Sequence, residues 1–305
     1  MSGTGLMGPV FLVGCPRSGT TLLQRLLDAH PEVAVAPETF FCRNFWKRRR
    51  EFGDLGQDEN LGRLLEKICG MPEFAEMGLS REKFQVAAEG TRSLEGLFQL
   101  LFEQFARLRG ARVVGEKTPN HLLYMRTLER LFPGARFVQI VRDPRAVASS
   151  WRKVPWSNGT LSGDAETWRK YQAAARRRPP RRAGLHTLRY EELVRAPETV
   201  LGGVCDFIGI PFDETMLEFH RSRNQAVDAQ REPWKQEANS PLTDRRAEGW
   251  REELTPAEVR QIEAVTWYEM RRAGYDPESS FARLLPGMCV HAFRRGLKAI
   301  RRWRR

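Results

Sequence analysis

A three-layer α/β fold, with a central, mostly parallel sheet flanked by helices, is what this 305-residue sequence predicts. Two observations lead there. Short apolar runs bounded by glycine or proline alternate with stretches of helical periodicity, the pattern of strands joined by crossover helices. Polar clusters follow four of those runs, at the strand ends where such sheets collect ligands.

"PVFLVG" is a buried strand, and "TTLLQRLLDAH" is a helix with Leu22, Leu23, Leu26 and Leu27 on one side. "EVAVAP" is a second short strand. Residues 39–109 read as mainly helical, and their clearest helix, "SLEGLFQLLFEQFARLRG", has Ser93 as N-cap and Gly110 as stop. A strand at 112–115 ends in a polar loop, and a helix is expected at 120–131. The next strand is 136–141, after which Asp143 and Pro144 cap and open a helix. "GLHTLRYEELV" repeats the strand-to-helix step. The four polar strand ends are Gly14–Thr21, Glu116–Thr118, Arg142–Arg145 and Tyr190.

The hydrophobic fraction of 41% suits a chain able to bury a sizeable core. No apolar run approaches the roughly 18–20 residues of a bilayer span. The N-terminus has no signal pattern, so a cytoplasmic protein is expected. Five widely spaced cysteines without a C-x-x-C, and five scattered histidines, predict neither a disulfide framework nor a metal site. The net charge of +12 is uneven: from Ser279 onward there are eight bases and no acid. The tail, 279–305, reads either as a solvated end or as a basic amphipathic segment, peripheral at the inner face of an anionic membrane. Val290, Phe293, Leu297 and Ile300 recur there at helical spacing opposite the arginines. No nucleic-acid motif accompanies the charge, so no specific nucleic-acid partner is expected. The basic stretches "RNFWKRRREF" and "RKYQAAARRRPPRR" read as solvated faces, with contact to an anionic acceptor as the alternative.

"GCPRSGTTLL" has the spacing of a phosphate-binding loop, G-x-x-x-x-G-K-[ST], with Thr20 where the lysine belongs and Thr21 keeping the final hydroxyl. This makes the expected fold P-loop-type. Backbone N–H groups and the helix N-terminus favour an anion, and Thr20 and Thr21 add hydroxyl donors. In ATP-using enzymes the lysine reaches the β- and γ-phosphates, so its loss argues against a triphosphate. Arg17 supplies a cation at another place in the loop.

Four blocks, the loop among them, carry a resemblance. "GCPRSGTTLLQRLLDAHPEVAVAPE" resembles the 5′-phosphosulfate loop of sulfotransferases that use 3′-phosphoadenosine 5′-phosphosulfate (PAPS), and "FVQIVRDPRAVASSW" resembles their 3′-phosphate segment. "EKTPNHLLYMRTLERLFPGARF" is similar to the branch that includes tyrosylprotein and many bacterial sulfotransferases. "LRYEELVRAPETVLGGVCDFIGIPF" is similar to the family's next strand–helix unit. The resemblance implies one sulfotransferase domain, 1–278, with a helical acceptor-side insertion at about 39–109. It implies PAPS as donor, 3′,5′-ADP as product and no metal. The acceptor stays open among small molecule, glycan, lipid and peptide. Arg17, Ser18, Gly19, Thr20 and Thr21 would hold the 5′-phosphosulfate, Arg142 and Ser150 the 3′-phosphate, and Tyr190 the adenosine. Ser149 would point about 100° from Ser150 on a helix. Tyr190 could instead be a core residue.

The resemblance also implies roles in the chemistry. Glu38 would be the general base, its carboxylate partly desolvated under the crevice roof. Lys117, with Arg17, would meet charge developing on the leaving phosphate. His121 is the second candidate base, whereas His30 is expected to pack or hydrogen-bond at the end of the first helix. The family's "G-R-W" cation is missing from "RRAEGWREEL", where Gly249 precedes Trp250; Arg245, Arg246, Arg251 or Lys235 would have to replace it. Two rival readings are a nucleotide or small-molecule kinase, and a non-catalytic protein binding a polyanion or membrane surface.

Overall fold

The computed structural model describes residues 7–221, 234 and 238–303, the last ten of these as backbone helix. Its strands are β1 (Met7–Gly14), β2 (Val33–Ala36), β3 (Val113–Lys117), β4 (Arg136–Val141) and β5 (Leu185–Arg189). They form one sheet in the order β2-β3-β1-β4-β5, and every pairing is parallel. The register aligns the carboxyl ends: Leu12 lies beside Lys117, Ala36 beside Glu116, Gly14 beside Ile140, and Val141 beside Arg189. The chain runs from β1 to one side of the sheet and crosses to β4 on the other. This reversal opens a crevice at the carboxyl edge.

Both faces of the sheet are covered, which is why its strands are almost continuously apolar. Phe11, Val13, Ala34, Ala36, Val114 and Phe137 face one core; Val10, Leu12, Val33, Val35, Val138 and Ile140 face the other. The second core is closed by α1 (Thr20–Asp28), whose Leu23, Leu26 and Leu27 are buried.

The first core receives the helices between β2 and β3: α2 (Asp58–Cys69), α3 (Pro72–Glu76), α4 (Arg81–Ala87) and α5 (Leu94–Leu108). Ser93 caps α5 by accepting from the Gly96 N–H at 3.1 Å, and Gly110 follows it with φ +65°, as the sequence predicts. Phe41 and Phe45, in a wide turn at Phe41–Phe45, meet Phe98 of α5 edge-on at 4.6 and 4.9 Å. Phe41 also packs on Phe132 at 5.4 Å. Edge-to-face contacts of this kind add about 0.5–1.5 kcal/mol each beyond burial. They fasten the segment just after Glu38 to the body. The basic run that follows is a 3₁₀ segment, Trp46–Phe52, with Lys47–Glu51 exposed, as expected for a solvated face.

Two expectations change. The strand after residue 112 runs on to Lys117, because Glu116 and Lys117 are buried with partners of their own. The expected helix at 120–131 divides into a 3₁₀ turn, Pro119–Tyr124, and α6 (Met125–Leu131).

Beyond β4, Asp143 accepts from the Arg145 N–H at 2.8 Å and starts α7 (Pro144–Trp151). After α8 (Leu161–Arg177) and β5 come α9 (Tyr190–Arg195) and α10 (Pro197–Ile208). Two single-turn helices follow, α11 (Arg245–Glu248) and α12 (Trp250–Glu253). A capping box of Thr255 and Glu258 opens α13 (Pro256–Arg272), and the described chain ends in α14 (Phe281–Trp303).

Candidate active site

The loop after β1 is shaped by two glycines. A Cβ at Gly14 would stand 2.7 Å from the Ile140 carbonyl oxygen, and one at Gly19 would stand 2.5 Å from the Tyr190 ring. Gly19 also has φ +98°, and Arg17 takes the left-handed region at φ +72°. No side chain caps α1, so its first N–H groups stay open to an anion.

Arg17 reaches across the crevice. Its Nε donates to Ser150 Oγ at 3.0 Å, and its Nη2 donates to the Trp234 carbonyl at 2.8 Å. Ser149 points elsewhere and donates to Glu253. Arg142 donates to the carbonyls of Arg17 at 3.3 Å and Arg246 at 2.6 Å, and its guanidinium lies 4.3 Å from the centre of the Tyr190 ring. Tyr190 is therefore a buried spacer between the loop and Arg142. Two indoles fix the backbone here: Trp151 donates to the Pro16 carbonyl at 3.0 Å, and Trp168 to the Arg142 carbonyl at 2.9 Å.

The other end of the crevice holds the acid and base groups. Lys117 Nζ lies 2.5 Å from Glu38 Oε1; Lys117 is buried, and Glu38 is 17% exposed. Glu38 is thus largely shielded from solvent and is also one half of an ion pair. Beneath the pair sits Glu116, fully buried. Its Oε1 accepts from the Thr39 N–H at 3.0 Å, the Thr39 hydroxyl at 2.8 Å and the Thr118 hydroxyl at 2.5 Å. Its Oε2 lies 2.8 Å from His121 Nδ1. One carboxylate therefore ties the residue after Glu38 to the residue after Lys117.

His121, the second candidate base, is buried in this support and does not line the crevice mouth. Burial opposes its charged ring, but the Glu116 carboxylate and the Cys42 side chain together more than offset this and push His121 up to about 10. The Cys42 N–H approaches Nε2 at 3.4 Å, a weak contact beside the carboxylate. His30 behaves as expected, with its ring 3.0 Å from the Pro211 carbonyl.

The sequence left four cations open for the place held by Gly249. Lys235 lies outside the described residues. Arg251 stacks on Trp250 at 4.5 Å and pairs with Glu248 and Glu278. Arg245 and Arg246 are both exposed, and of the two it is Arg246 whose carbonyl accepts from Arg142. Burial lowers the Arg246 pKa, Tyr190 opposes this, and the like charge of Arg142 lowers it further. Two neighbouring guanidiniums, one after β4 and one on α11, form a field that an anion would relieve. Sequence reading also missed Glu116: "EKTP" shows an acid before the lysine, but nothing local says that it is buried.

Buried polar atoms are almost always hydrogen-bonded. Ser18 Oγ and Arg142 Nε are buried and meet no hydrogen-bond partner. Among the described residues, no group of three or more histidine, cysteine, aspartate or glutamate side chains is arranged to hold a metal.

Residues 9–214 match the model of a sulfotransferase family. The chain belongs to that family. It is a PAPS-dependent sulfotransferase, and the family match decides for sulfuryl transfer over the kinase reading. Protein-tyrosine sulfotransferase 2 of Gallus gallus is 28% identical over 218 residues, covering 68% of this chain and 53% of that protein. Protein-tyrosine sulfotransferase 1 of Danio rerio is 25% identical over 290 residues, covering 89% of this chain and 73% of its own length. The sulfotransferase domain of the Synechococcus PCC 7002 olefin synthase shares the fold, with a TM-score of 0.64 at 24% identity over 88% of this chain and 94% of that one.

Proposed function

We propose that this sulfotransferase moves SO₃ from PAPS to an acceptor hydroxyl by in-line displacement, with Glu38 as general base. The observation that carries this is the 2.5 Å contact of Glu38 with Lys117, made by two strand ends beside the loop. The acceptor oxygen bonds to sulfur as the sulfur–oxygen bond to the 5′-phosphate breaks. The acceptor proton goes to the Glu38 carboxylate. The charge left on the 5′-phosphate is met by Lys117 and Arg17. The loop N–H groups, Ser18, Thr20 and Thr21 suit the 5′-phosphosulfate; Arg142, Arg246 and Ser150 suit the 3′-phosphate. Tyr190 positions Arg142 by offering it a ring face.

The names of the relatives support a protein tyrosine as acceptor. So does the basic segment after Glu38, where Arg43 lies 5.9 Å from the Phe40 ring and Lys47 lies 4.9 Å from the Tyr124 ring. Such cations suit a peptide with acidic residues beside its tyrosine. The test is transfer of labelled sulfate from PAPS to acidic tyrosine peptides and to an extract of the producing cell. Labelled sulfotyrosine is expected. Label in a glycan or lipid alone would replace the acceptor, and no label in any product would remove the activity.

A further inference from the structure

Helix α14 keeps one side for the body. Leu284 is 1% exposed, and Met288 and His291 are half-buried. Gly287 permits close approach to α13, since a Cβ there would stand 2.9 Å from the Ala264 Cβ. The other side is apolar and open. Leu285, Val290 and Phe293 are 47%, 51% and 68% exposed, and Cys289 is exposed among them. A contiguous apolar stripe on a surface helix marks a contact site. Its sequence continues the pattern, with Leu297 and Ile300 four and seven residues after Phe293. Interleaved with them are Arg294, Arg295, Lys298, Arg301 and Arg302, and no acid follows Ser279.

We propose that α14 docks this enzyme on an anionic lipid bilayer, lying in the interface with its apolar stripe among the acyl chains. Charge selects this occupant. A second copy would bring another acid-free basic helix against the first, and like charges repel. A nucleic acid would neutralise the bases and leave Leu285 and Phe293 in water. An anionic bilayer satisfies both features at once. No described helix is long and apolar enough to cross a membrane.

Cys289 is the one exposed cysteine, the other four being buried, so the chain carries its own probe position. An environment-sensitive fluorophore there should shift to the blue with vesicles of phosphatidylcholine and phosphatidylglycerol, and stay unshifted with phosphatidylcholine alone. The unlabelled full chain should cosediment with the same anionic vesicles. The double variant Leu285→Asp/Phe293→Asp should lose about tenfold or more in vesicle affinity, since two large apolar side chains would no longer leave water. An unchanged Tm and 3′,5′-ADP affinity would show that this variant is folded. The proposal is overturned if neither vesicle type binds. It is overturned equally if the double variant binds as tightly as the parent, which would make the contact one of charge alone. A dimer that the double variant dissolves would give the stripe to a second copy instead.

Discussion

The two ends of the crevice hold their cations in opposite ways. At the reactive end Lys117 meets a full negative charge, Glu38, over a buried carboxylate that is itself fully engaged. At the other end Arg142 donates to two neutral carbonyls, those of Arg17 and Arg246. A neutral acceptor is exchanged for an anion at a gain, because charge-assisted hydrogen bonds are about twice as strong as neutral ones. An ion pair has no such margin, and losing one partner strands the other. Under the proposed function the contrast separates affinity from chemistry, with Arg142 serving binding and the Glu38–Lys117 pair serving the reaction.

Breaking the reactive end should therefore have the largest effect, and on turnover. Glu38→Ala should lower kcat by about 10²–10⁴, the usual worth of a general base, while 3′,5′-ADP affinity stays within a few-fold. Lys117→Ala should lower kcat by about 10²–10³. Isothermal titration beside steady-state kinetics makes the comparison. Parent-like turnover in Glu38→Ala would take Glu38 out of the mechanism.

The arginine end should break the other way. Arg142→Ala should weaken 3′,5′-ADP by about 10- to 100-fold, as for loss of charged hydrogen bonds worth about 1.5–3 kcal/mol, with a smaller change in kcat at saturating donor. Arg246→Ala should lose less, because its removal also relieves repulsion at Arg142. Equal losses for the two variants would mean that the guanidiniums act as independent contacts. Unchanged affinity in Arg142→Ala would end its assignment.

Sequence reached these two ends unequally. The strands, the loop and the Asp143 cap were legible because each is written within about ten residues, as an apolar run, a glycine spacing or a proline after an acid. Arg142 and Ser150 came from the resemblance, and the fold puts both in hydrogen-bond contact with Arg17. The Glu38–Lys117 contact joins residues 79 apart, and Glu116 depends on burial from two other elements. No local spacing encodes either. Arg246 was one of four equal candidates until the fold brought its backbone onto Arg142, 104 residues away. The strand at β3 was cut short for a related reason. Polar residues mark a strand end by default, and only tertiary partners let Glu116 and Lys117 stay inside.

The support beneath the reactive end should show itself in stability rather than turnover, and the sign can be worked out. His121 is pushed up to about 10 in the folded chain from an ordinary value near 6.5. A raised folded value means that the native state holds a proton that the unfolded chain releases. The contribution is complete below about pH 6.5 and is lost as pH rises through about 10. Between those limits the native chain should lose stability steadily, by on the order of several degrees in Tm. Glu116→Gln removes the charge that holds the proton while keeping an acceptor for Thr39 and Thr118. Its Tm should be lower at pH 6.5 and should converge on the parent's towards pH 10. Melting curves across that range decide the matter. Parallel curves for the two proteins would mean that His121 is neutral and that Glu116 supports the pair by hydrogen bonding alone.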